Sequence, residues 1–134
     1  MSVRNIAILV VALGACAGAA RAGPCAAPAP AVGAEIHGPV LHVLDGKRLC
    51  VALGETPDRW VELTLNDAGL VEAADVTDPN PRGTLMALAF AQNVTCKVTG
   101  IEAGHAVAAC SLDGRPLADP ARKRQAIKLS ELWR

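Results

Sequence analysis

Asp-Gly dipeptides at 45–46 and 113–114, together with Gly100 and Gly104, cut this chain into apolar runs of strand length. Asp-Gly between apolar runs signals a hairpin, because both residues tolerate the positive φ that tight turns need. The runs cover residues 40–44, 49–53, 60–66, 94–99 and 105–112. Each is short for a helix, and residues 60–66 alternate cleanly. Val61, Leu63 and Leu65 face one way, while Glu62, Thr64 and Asn66 face the other, which is the period of a half-buried strand. Residues 54–59, with Pro57 and Asp58, read as a turn, and the polar stretch 67–82 as an irregular loop. Residues 84–91 predict a short helix with Leu85, Met86, Leu88 and Ala89 on its buried face. Residues 119–132 predict a second helix, capped by Asp119 with Pro120 in its first turn. The order predicts a mainly β (α+β) fold: a five-stranded Greek-key barrel of OB type, with one helix between strands 3 and 4 and another at the C-terminus.

The N-terminal region reads differently. Arg4, an apolar stretch over 6–13 and Ala20-Arg21-Ala22 form the pattern of a cleaved export signal over residues 1–22. The apolar stretch is too short to span a bilayer as a helix. Leu13-Gly14-Ala15-Cys16 resembles a lipobox, in which Cys16 would be lipidated and anchor the protein to a membrane. A periplasmic or secreted bacterial protein cleaved after Ala22 is the expectation, and the lipid anchor its alternative. Residues 23–38, rich in Ala, Pro and Gly, predict an extended leader, and residues 39–134 one folded domain.

Cleavage after Ala22 removes two arginines and no acid, leaving 11 basic against 13 acidic residues, a net charge of −2. A domain built to hold polyphosphate carries a positive field, which this balance does not supply. Aromatic faces for base stacking are few: Phe90, Trp60 and Trp133, with no Tyr. Nucleic acid is therefore disfavoured as a partner.

Cys25, Cys50, Cys96 and Cys110 remain after either processing route. Four cysteines in an oxidising compartment predict two disulfides in one of three pairings. A metal site is the alternative, though no C-x-x-C or His-rich spacing accompanies them. In a hairpin centred near Ala103, Cys96 and Cys110 fall opposite each other on inward-facing positions, which predicts Cys96–Cys110 and leaves Cys25 for Cys50.

Four stretches add a resemblance. Val43-Leu44-Asp45-Gly46 is similar to a V-x-D-G-D-T turn. Residues 60–66 are similar to the third strand of the same pattern, residues 104–114 to a Y-G-R-x-x-A…D-G strand and turn, and residues 117–125 to a terminal helix ending in R-Q-G. In that order these resemble the thermonuclease family, the staphylococcal-nuclease-like OB-fold nucleases. The family cuts phosphodiesters with Ca²⁺, a glutamate that activates water and two arginines that grip the phosphoryl oxygens; hard Ca²⁺ needs oxygen ligands, and guanidinium matches phosphate bidentately.

Carried over position by position, the resemblance implies a degenerate site. Lys47 stands where the turn would give a metal carboxylate, and Gly69 where D-[TA]-P-E would give another. Glu72 stands at the general-base position, but Thr64, eight residues before it, replaces the first arginine, and His105 replaces the second. Losing one such arginine lowers phosphoryl-transfer rates by roughly 10³ or more. The expectation is a catalytically inactive relative acting as a binding or structural module in the bacterial envelope, without a cofactor. Its groove would hold Lys47, Arg48, Glu62, Thr64, Glu72 and His105, and its partner would be an envelope protein or glycan. The alternative is an active Ca²⁺-dependent nuclease with a rearranged site. The basic run Arg122-Lys123-Arg124, with Lys128, reads as a solvated helix face.

Overall fold

The computed structural model of the protein describes residues 23–66, 78–117 and 119–132. Among the described residues, six strands and two α-helices follow one another: β1 (Glu35–Val43), β2 (Arg48–Ala52), β3 (Trp60–Leu65), α1 (Pro81–Ala89), β4 (Asn93–Glu102), β5 (His105–Leu112), β6 (Arg115–Pro116) and α2 (Pro120–Glu131). The sheet runs β3-β2-β1-β4-β5-β6 and closes on itself, because β3 also pairs with β5. That closing pair is parallel, Leu63 to Leu65 against Ala106 to Ala108, while every other ladder is antiparallel. The result is a five-strand barrel with two helices, mainly β.

Alternation fills the barrel. Val61, Leu63 and Leu65 are buried, whereas Trp60, Glu62 and Thr64 are half-exposed. Val94, Cys96 and Val98 of β4 and Ala106, Ala108 and Cys110 of β5 face the same core. Leu85 and Ala89 of α1 belong to that core together with Leu117.

Several boundaries differ from the sequence reading. β1 opens at Glu35, upstream of Pro39, and Glu35 to Pro39 pairs with β4. The compositional leader over 23–38 therefore ends inside a strand. Ala and Pro set the composition, but the backbone groups of residues 35–39 still find ladder partners. α1 starts at Pro81 rather than 84, because Asn80 caps it by accepting from Gly83 N at 3.1 Å and proline suits the first helical position. It stops before Phe90, whose backbone is extended, and Ala91 takes φ 62. β4 runs on to Glu102 past a register shift between Val98 and Gly100, so the turn to β5 is only Ala103-Gly104, at φ 50 and 78. Asp113-Gly114 repeats this geometry and adds β6.

Both cysteine pairings expected from the strand model lie at disulfide distance. Cα atoms are 4.0 Å apart for Cys96–Cys110, directly opposed in the β4–β5 ladder, and 5.9 Å apart for Cys25–Cys50. Two such pairs are compatible with an oxidising extracellular or periplasmic location. Among the described residues, no helix is long and apolar enough to cross a membrane.

Candidate binding cleft

One turn builds the site. Asp45 accepts from the amides of Lys47 and Arg48, both at 2.8 Å, which folds the β1–β2 connection around its own carboxylate. Its second oxygen accepts from Arg48 Nε at 2.7 Å. Gly46 lies so close to the ring of Pro81 that a Cβ there would collide with it, and Arg82 Nε donates to Val43 O at 3.0 Å. The start of α1 thus braces the turn from outside the barrel.

Arg48 reaches from this turn to Glu62 on β3, Nη1 to Oε1 at 3.9 Å. The other Glu62 oxygen meets His105 Nδ1 at 2.6 Å, at the start of β5. The parallel β3–β5 closure brings His105 there, since Leu63 pairs with the next residue, Ala106. Asp45, Arg48, Glu62 and His105 therefore form one chain of polar contacts across three elements. Glu62 is its sheltered member, with a side chain only 18% exposed against 42% for Arg48 and 53% for His105. A carboxylate so placed works best with both oxygens partnered. Burial pushes the Asp45 carboxyl up, but the Lys47 amide and the side chain and amide of Arg48 outweigh it and hold the group below its ordinary value. The hydrogen bond that Arg48 donates to Asp45 in turn raises the pKa of the guanidinium.

Arg48, Glu62 and His105 border a cleft of about 450 Å³. Leu44 contributes from the β1–β2 turn, and Ala103, Gly104 and Ala106 from the β4–β5 hairpin. The fourth wall comes from residues before the barrel: Gly23, Cys25, Ala27 and Ala29.

The expected site residues separate into three groups. Arg48, Glu62 and His105 come together at the cleft. Lys47 stays in the turn, with its amide on Asp45, and Thr64 stands on the outer face of β3 opposite Arg48 in the ladder; neither lines the cleft. Glu72 and Gly69 lie outside the described residues, as do residues 1–22 with Cys16. The basic run of α2 is not one solvated face: Lys123 is buried, and Arg122 donates to Leu112 O at 3.1 Å. Sequence reading missed the role of Asp45 beyond its turn, and missed the leader as a wall. The Asp45–Arg48 spacing was a usable signal for the first. Among the described residues, no group of three or more His, Cys, Asp or Glu could hold a metal ion.

No family model matches this chain, and no curated protein does.

Proposed function

We propose that the protein is a non-catalytic binding module of the bacterial envelope, an OB-type Greek-key barrel of staphylococcal-nuclease-like descent that has lost phosphodiesterase activity. Strand neighbours β1-β2-β3-β5-β4, with a parallel β3–β5 closure and α1 between β3 and β4, support the OB reading. Periplasmic or secreted placement rests on the N-terminal signal pattern and the two cysteine pairs.

The carrying observation is the double engagement of Glu62. A phosphate clamp needs cations aimed at the substrate. Here the Arg48 guanidinium faces Asp45 and Glu62, and His105 faces Glu62, so the cleft's guanidinium and imidazole are both engaged by carboxylates of the protein. What remains is a polar floor with small apolar walls, which suits an uncharged hydrogen-bonding ligand. Among the described residues, no aromatic side chain lines it for a sugar to stack on, so an extended protein segment fits better than a glycan.

Single-stranded DNA incubated with the mature protein and Ca²⁺, Mg²⁺ or Mn²⁺ tests the loss of catalysis. The expected outcome is no cleavage above background; metal-dependent cleavage abolished by Glu72→Gln would establish the nuclease reading instead. Titration with oligopeptides and with peptidoglycan fragments, read by amide shifts, tests binding. Shifts centred on Arg48, Glu62 and His105 are expected, with peptides giving the larger response.

A further inference from the structure

β2 breaks the alternation that β3, β4 and β5 keep. Leu49 and Val51 point into the core, which puts Cys50 on the outer face with Arg48. Cys50 is nevertheless fully buried. The leader covers it. Cys25 is at bonding distance from Cys50, and the amides of Ala26 and Ala27 donate to Pro57 O at 2.9 Å and Trp60 O at 3.1 Å. Alternate leader residues line the cleft, from Gly23 to Ala29, so the segment is extended with one face turned to the site. Pro24, Pro28 and Pro30 suit that conformation. Its far end is fastened where Gly33 N donates to Val98 O and Val98 N to Ala34 O. Residues 23–32 therefore form a strap joined to the barrel at one end by β1 and at the other by a single covalent bridge.

The two bridges differ in access. Cys96 and Cys110 are sealed in the barrel core, at 0% and 7% exposure. Cys25 is half-buried and borders the open cleft. An attacking thiolate can reach Cys25 from the cleft, whereas the other pair is shielded until the barrel opens.

We propose that Cys25–Cys50 is a redox latch on the cleft wall, opened by a dithiol; this rests on the reading of the cleft as the binding site. One thiolate of the dithiol attacks Cys25 Sγ, the Cys25–Cys50 bond breaks, and Cys50 leaves as a thiolate that takes up a proton. The second thiol of the reagent then attacks the mixed disulfide and releases Cys25. The protein pair gains two electrons and two protons, and the dithiol becomes a disulfide. With the bridge gone, the strap near Cys25 retains the Ala26 and Ala27 hydrogen bonds, two contacts that local opening can break without opening the barrel. Release of the strap removes one wall and widens the cleft.

The test uses the oxidised mature protein and graded dithiothreitol, followed by iodoacetamide and peptide mass mapping. Cys25 and Cys50 are expected to label at reductant levels that leave Cys96 and Cys110 bridged. At those levels the amides of Ala26 and Ala27 should exchange at least ~10-fold faster, while the β4–β5 amides keep their rates. Cys25→Ser should show the same exchange pattern without reductant. Simultaneous release of all four cysteines, or unchanged protection at Ala26 and Ala27 in both the reduced protein and Cys25→Ser, overturns the latch. Neither readout involves a ligand, so such a result leaves the binding titrations to decide the function of the cleft on their own.

Discussion

Glu62 governs the cleft through geometry that a single strand cannot supply. Its partners come from β2 and β5, one beside it in the sheet and one across the barrel's closing seam. Asp45 works one contact further out: it shapes the turn and aims Arg48. Because its carboxyl is held below the ordinary value of 3.8, it contributes stability that is present above that value and lost as pH falls through the lower folded value. The melting temperature of the wild type should therefore drop as acid is added below about pH 4. Asp45→Asn should lower stability near neutrality and flatten this part of the acid limb. Thermal melts of both proteins from pH 2 to 7 check it; an equally steep limb in the variant would contradict the assignment.

At the scale of elements, the β4–β5 hairpin is the piece that local rules describe best. Its two-residue turn sets the register that places Cys96 against Cys110, and their bridge lies within the barrel core. Replacing both by Ala should cost about 2–4 kcal/mol, measured by denaturant unfolding, with the slope of free energy against denaturant rising as the unfolded chain loses its cross-link. This hairpin was legible in the sequence, because period-two burial and the spacing of the cysteines agree on one register. Strand β3 was legible for the same reason. The start of β1 was not, since residues 35–39 look like leader in composition and gain their strand character from pairing with β4, far away in the chain. Nor was the start of α1: Asn80-Pro81 carries a cap signal, but it sits at the end of a polar stretch that masks it. The unbroken burial of Leu49 to Ala52 was also hidden, because that of Cys50 is created by a segment outside the barrel.

For the whole molecule, the closed barrel, the crossing strap and the charge pairing act together. Closure by β3 and β5 sets Glu62 against His105, while the strap completes the wall of the same cleft. The site was legible in part. Arg48, Glu62 and His105 stand at positions that the strand pattern and the family resemblance singled out, but their mutual contacts depend on three-dimensional distances that no spacing encodes. Carboxylate engagement at the cleft also agrees with a chain whose 13 basic and 13 acidic residues balance, leaving no net positive charge to steer a polyanion.

That matching is most directly tested by titrating a labelled single-stranded oligonucleotide into the wild type and into Glu62→Gln at low salt. The wild type should bind more weakly than about 100 μM, at the loose end of non-specific association. The variant, with one carboxylate charge removed from beside Arg48 and His105, should bind about fivefold tighter, the worth of ~1 kcal/mol for one such charge, and this gain should vanish as salt rises. Micromolar, steeply salt-dependent binding by the wild type, with no gain or a loss in Glu62→Gln, would show that the cleft already grips phosphate and would contradict the account.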